Sequence, residues 1–194
     1  MSQHTTIIDH IMVYAHVPTL IIRPRTFLCR RVDPILQQHA MPVTVFDDKL
    51  RQLAADMLET MYEERGIGLA ANQVAVLKQI VVVDVMAGDE DHGQREPQVL
   101  VNPKIVAASG ETAIEEGCLS VPEFRAEVPR AEKITVEYQD LEGQPQTLEA
   151  DGLLAICLQH EFDHLRGRLF IDYLPPLKQR MVKTRLAKLA RMPA

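Results

Sequence analysis

Residues 152–165 read GLLAICLQHEFDHL, an almost wholly apolar stretch that stops two residues before Gly167 and still carries two histidines and two acids. Its length and the absence of a β-branched run predict a helix, and apolar residues on every side predict a buried one. A buried helix needs other elements wrapped around it, so this segment constrains the fold more than any other. His160 and His164, four apart, share one face about one turn from each other. Both can aim a ring nitrogen at a single metal ion. Glu161 lies roughly 100° further round the helix, within reach of a water at that ion. The pattern is H-E-x-x-H, two ligands plus a general base. On an ordinary buried helix, an unpaired carboxylate between two imidazoles costs several kcal/mol, and a cation removes that cost.

A catalytic metal site takes a third protein ligand and keeps one position for water. Downstream of the helix there is Asp172 but no further His or Glu. Upstream, Glu116-Gly117-Cys118-Leu119-Ser120 forms a small-residue turn that presents a thiol, so Cys118 completes a His2Cys set. Cys29 and Cys157 read as small core residues, Cys157 lining a wall beside the ligands. Three widely spaced cysteines are no disulfide framework and point to a reducing compartment. A third piece, 66–73, reads GIGLAANQ and is expected as a Gly-rich loop. It lacks the lysine of a phosphate-binding loop. Its small residues permit close backbone approach, and Gln73 adds an amide donor, although Gly66 and Gly68 also suit a helix cap.

Around these pieces the pattern predicts an amphipathic helix from Asp47 or Asp48, with Leu50, Leu53, Ala54, Met57, Leu58 and Met61 on one stripe and Gly66 ending it. Strands are predicted at 79–85, 99–101, 105–108, 134–138 and 146–149, with a surface loop over 87–97 and a turn over 140–143. A last amphipathic helix is predicted over 177–191. Strands and helices do not alternate regularly, so the fold class is α+β: short, mostly antiparallel strands around the central H-E-x-x-H helix.

Taken in order, GIGLAANQ at 66–73, EGCLS at 116–120 and QHEFDH at 159–164 resemble the motifs of the peptide deformylase family, G-x-G-x-A-A-x-Q, E-G-C-L-S and Q-H-E-x-D-H, at every defined position. The likeness continues through VPEFRAEVPRAEK and LRGRLFIDYL and covers about residues 26–180. It implies hydrolysis of the N-formyl group from the formylmethionine that starts new polypeptides. It also implies one divalent metal ion held by Cys118, His160 and His164, with Glu161 as general base. Gln73 and the Leu119 N–H would face the formyl oxygen. Ile67, Leu153, Ile156 and Cys157 would line the methionine pocket, and the Gly66–Gly68 backbone would pair with the extended peptide. Relatives often use Fe2+, the expected ion in the cell; by ligand softness alone Zn2+ fits as well.

Charge divides the chain. Residues 175–194 carry six basic residues and no acid, leaving fifteen basic against 27 acidic in the rest. Together with the reach of the resemblance, this suggests three parts: an extension over 1–25 that precedes the usual start of the family and has no assigned role, a catalytic domain over 26–174, and a basic C-terminal helix over 175–194. That helix resembles the one by which bacterial deformylases dock on the ribosome, with Lys178, Arg180, Lys183, Arg185, Lys188 and Arg191 facing a polyanion. No stretch is apolar enough to span a bilayer, so no membrane is expected, and no DNA. Arg23, Arg25, Arg30 and Arg31 give a faint transit-peptide character, but the expected location is the cytoplasm. Two rival readings are a zinc endopeptidase, disfavoured by the Cys ligand, and a non-catalytic ribosome-associated relative, disfavoured by the presence of both Glu161 and Gln73.

Overall fold

The computed structural model describes residues 28–29, 33–88 and 95–190. The extension over 1–25, the arginines of transit character, much of the 87–97 loop and Arg191 lie outside the described residues. Among the described residues seven strands follow one another as β1 (Gly68–Ala70), β2 (Ile80–Val83), β3 (Gln98–Ser109), β4 (Thr112–Cys118), β5 (Val121–Arg130), β6 (Lys133–Gln139) and β7 (Pro145–Asp151). Five form one antiparallel sheet in the order β1-β2-β3-β6-β7, and β4 and β5 form a separate hairpin. The helices are α1 (Asp48–Glu63), α2 (Gly152–Leu165) and α3 (Pro176–Ala190). The architecture is the expected α+β class.

The sheet lies between α1 and α2. On β2 all four residues are buried because both faces are covered. Ile80 and Val82 join the α1 stripe of Leu50, Leu53, Ala54, Met57 and Met61. Val81 and Val83 join Ala155, Leu158, Phe162 and Leu165 of α2. Full burial of such side chains stabilises by about 1.5–3 kcal/mol each, so the two layers hold the sheet from either side. A third cluster seats Val182 and Leu186 of α3 on Leu36, Phe170 and Ile171, together with Val121 and Val128 of the hairpin.

Both long core helices end in the same hydrogen-bond pattern. At α2 the Arg168 amide donates to Asp163 O and the Gly167 amide to His164 O, with Gly167 left-handed at φ +68. At α1 the Gly66 amide donates to Met61 O and the Arg65 amide to Tyr62 O, but here the left-handed residue is Arg65, at φ +56. The helix ends where expected, yet Gly66 is not its left-handed cap. A Cβ on Gly66 would stand 2.8 Å from Leu119 Cδ1, so any larger residue there would push the Leu119 side chain aside.

Three expectations need correction. The two strands expected at 99–101 and 105–108 are one strand, β3, carried past Pro103 by a register shift. Asn102 anchors the irregularity at φ +52, donating to Val43 O (2.8 Å) and Gln139 Oε1 (2.7 Å). The hairpin was not expected. Pro122 and Pro129 and the charges at Glu123, Arg125 and Glu127 argue against a central strand, but a two-stranded ribbon has free edges where prolines cost nothing. As a result Cys118 closes a strand rather than sitting in a turn. Finally, part of the Gly-rich stretch expected as a loop pairs as β1.

Candidate active site

The three expected ligand residues come from two elements. His160 and His164 project from α2, and Cys118 ends β4. Their ligand atoms lie within 4.8 Å of one another, and Cys118 Sγ is 3.3 Å from His164 Nε2. Donors of a tetrahedral site with metal bonds of 2.0–2.3 Å stand roughly 3.5 Å apart, so the cluster is close to the size a divalent ion requires. His160 donates from Nδ1 to Glu116 Oε2 at 2.8 Å, which leaves its other ring nitrogen toward the thiol. Burial, then the neighbouring His160 and Arg130, hold His164 well below the usual imidazole range, whereas at His160 the bonds with Cys118 and Glu116 outweigh burial and hold the ring above it. Two buried polar atoms here lack a hydrogen-bond partner, His164 Nδ1 and Glu161 Oε2. A sulfur and two imidazoles at this spacing suit Zn2+ or Fe2+ by donor chemistry.

Glu161 is fully enclosed, and burial pushes its carboxyl up to about 7 against the opposing pull of His160. Gly68 is what makes room for it: a Cβ there would stand 2.7 Å from Glu161 Oε1 and 2.6 Å from Cys157 Sγ. Gln73 follows β1 in a short 3-10 turn. Its Oε1 accepts from the Ala70 amide (2.8 Å), and its Nε2 donates to Ser120 Oγ (3.2 Å) and stands 3.8 Å from Cys118 Sγ. Leu119 lies in the two-residue link between β4 and β5.

A cleft of about 440 Å³ gathers Gly66, Ile67, Gln73, Cys118, Leu119, Leu153, Ile156, Cys157, His160 and Glu161 along one wall or another. His164 lies deeper, under the thiol, and Gly68 lies behind Glu161. Cys157 donates to Ile67 O at 3.6 Å; burial raises its thiol well above the usual range, which leaves it an inert wall. Every residue expected at the site is therefore in or against this cleft, and β1, beside it, is an edge strand of the sheet.

Sequence reasoning missed the layer behind the ligands. Arg130 is buried with a fork of bonds to Glu116, Nε to Oε1 at 2.7 Å and Nη2 to Oε2 at 3.0 Å. Its Nη1 reaches Asp163 Oδ2 at 2.6 Å, and Tyr173 donates to the same oxygen at 2.8 Å. Burial alone would raise the Glu116 carboxyl, but the bonds from His160 and Arg130 outweigh it and hold it low. Glu116 and Asp163 are fixed letters of two of the motifs. An acid on a buried helix demands a cation, and that was the available signal.

Among the described residues no helix is long and apolar enough to cross a membrane. A family model for polypeptide deformylase matches residues 28–180. A crystal structure of a peptide deformylase from Legionella pneumophila is 46% identical with a TM-score of 0.77, covering 88% of this chain and 100% of that one. One from Synechococcus elongatus, in complex with actinonin, is 43% identical with a TM-score of 0.76 over 89% of this chain and 94% of that one. One from Ehrlichia chaffeensis, also with actinonin, is 38% identical with a TM-score of 0.79 over 85% and 97%. With a match that spans both the cleft and the scaffold behind it, this chain belongs to the peptide deformylase family, metal-dependent hydrolases that act on formylated peptides.

Proposed function

We propose the following division of labour for removal of the formyl group from the formylmethionine of nascent chains. Cys118, His160 and His164 hold one divalent metal ion, Fe2+ in the cell. When bound, such an ion polarises the formyl C=O and makes water a nucleophile at neutral pH. Glu161 takes the proton of the attacking water and later gives it to the departing amine, so the C–N bond breaks to formate and a free amino terminus. Gln73 Nε2 and the Leu119 N–H face the oxygen on which negative charge develops. Ile67, Leu153, Ile156 and Cys157 receive the methionine side chain. Gly66 to Gly68 offer their backbone to the extended peptide, a role supported by the edge position of β1. A formyl carbon carries only hydrogen, so a crowded site admits it and excludes acetyl.

The observation that carries this reading is the convergence of one sulfur and two imidazoles within 4.8 Å at the floor of the cleft that Glu161, with an oxygen lacking a partner, also lines. The test is formate release from formyl-Met-Ala-Ser by protein prepared without air, with metal analysis of the same sample. Glu161→Ala is expected to retain its metal and lose nearly all turnover; normal turnover in that variant removes Glu161 from the role of base. A fall of roughly 100-fold is expected for Gln73→Ala, the size typical of one lost oxyanion donor.

The same reading places the enzyme in the cytoplasm, working at the ribosome through α3. Lys178, Arg180 and Lys188 on α3 are exposed and have no ion-pair partner among the described residues, whereas Lys183 pairs with Asp172 and Arg185 with Glu123. Sedimentation with ribosomes is expected to weaken steeply with salt, and the triple reversal of the three free cations to Glu is expected to abolish it. Salt-independent sedimentation would argue for a packed, solvated face and nothing more.

A further inference from the structure

The pocket assigned to the methionine side chain has two kinds of wall. Leu153, Ile156 and Cys157 come from α2, which packs into the core beneath the sheet. Ile67 comes from the link 64–67 between α1 and β1, a stretch that is neither helix nor strand. A wall on such a link stands where its bonds to neighbouring elements put it. The Ile67 carbonyl accepts from the Asp84 amide at 2.9 Å and, more loosely, from Cys157 Sγ at 3.6 Å. Asp84, the residue after β2, is 1% exposed. Its Oδ2 accepts from the Tyr62 hydroxyl at 2.7 Å and its Oδ1 from the Met86 amide at 3.1 Å. Tyr62 lies in the last turn of α1, and its carbonyl accepts from the Arg65 amide at 3.0 Å. The link is thus tied to Tyr62 at one end by backbone and at the other by way of Asp84.

A buried carboxylate is costly unless its oxygens are bonded, and here both are, by neutral donors. Burial, then Asp84, pushes the Tyr62 hydroxyl up to about 12, so it remains a donor at neutral pH. Taking that hydroxyl away leaves Asp84 Oδ2 enclosed without a partner, and the residue must turn to find one. The amide of the same residue carries the Ile67 bond, so a turn of Asp84 reaches the pocket wall. Neither Tyr62 nor Asp84 lines the cleft itself.

We infer that Tyr62 and Asp84 are positioning residues that set the width of the methionine pocket through Ile67, and with it the preference for methionine over a smaller first residue. The inference rests on the pocket assignment given under Proposed function. Both side chains act from behind the wall and touch no part of the peptide.

The experiment compares kcat/KM for formyl-Met-Ala-Ser and formyl-Ala-Ala-Ser in the metal-loaded parent and in Tyr62→Phe. That variant removes one hydroxyl and keeps the ring, which has the Arg95 guanidinium 4.1 Å from its centre. The Met:Ala ratio is expected to fall roughly fivefold, through KM of the Met peptide with kcat nearly unchanged, because a displaced apolar wall costs somewhat less than a missing methylene. The Asp84 amide is expected to exchange its hydrogen faster than in the parent, reporting the loosened bond to Ile67. Asp140→Asn, which weakens the β6–β7 turn at the opposite edge of the sheet, controls for simple loss of stability and is expected to leave the ratio alone. A ratio in Tyr62→Phe equal to the parent's, an Asp84 amide no faster than before, or an equal narrowing in Asp140→Asn overturns the proposal. A parent enzyme that releases no formate from formyl-Met-Ala-Ser, or does not prefer it to the Ala peptide, strikes the site assignment instead.

Discussion

Arg130 is the guanidinium that two buried carboxylates, Glu116 and Asp163, share. Its fork on Glu116 sets the oxygen that receives His160 Nδ1–H, and its remaining arm fixes Asp163 beside Tyr173. A buried ion pair is weak evidence for stability, because desolvation offsets much of the attraction; breaking one is a different matter. Arg130→Met strips the buried Glu116 and Asp163 of their shared guanidinium and leaves them to His160 and Tyr173, and a loss of roughly 3–5 kcal/mol is expected in urea unfolding. Arg130→Lys is expected to recover only part of it, since an ammonium is a point charge and cannot bond two carboxylates in the same planar fork. A loss below about 1 kcal/mol for the Met variant would mean that water reaches these groups and the layer is not closed.

At the scale of elements, the β6–β7 connection shows local chemistry acting alone. Asp140 Oδ1 accepts from the Glu142 amide (3.0 Å) and the Gln144 amide (2.8 Å), and Oδ2 accepts from Gln146 Nε2 (2.9 Å). These bonds, the Gln144 amide foremost, hold its carboxyl below the usual range. The folded-state value is depressed, so the stabilisation is present above the unfolded value near 3.9 and is lost as pH falls through the folded one. The thermal midpoint of Asp140→Asn is expected to lie below the parent's at pH 7 and to converge with it toward pH 2; a constant gap would assign the effect to shape rather than charge. This turn was legible in the sequence, as were α1 and α2, because each depends on residues close along the chain. The residues of the candidate cluster were legible too, two by helical spacing and Cys118 by elimination and resemblance, and the structure brings all three together. What stayed hidden depends on partners far away in sequence. The strand β3 runs past Pro103 only because Asn102 finds Val43 and Gln139, and β5 tolerates two prolines only because it belongs to an isolated hairpin. Arg130 looked like any surface arginine until Asp163, 33 positions on, came to meet it.

Across the whole molecule, the three putting their donors together do not share one degree of protection. His160 and His164 ride on a helix held against the sheet by one hydrophobic cluster, while Cys118 ends a two-stranded ribbon outside that sheet. Segments packed on every side exchange their amide hydrogens only when the entire molecule opens; ribbons of two strands open on their own at lower free energy. Amides of 157–163 are therefore expected to exchange at the global rate, and those of 112–128 faster. Stripping the bound ion with a chelator should speed the ribbon alone, since whatever binds the closed form favours it by mass action. Uniform acceleration of both would mean the chain has a single opening unit. If the ribbon does open first, it is the hinged half of the clasp: a cation held by these three residues would leave and return through excursions of β4 and β5 while the two imidazoles kept their places.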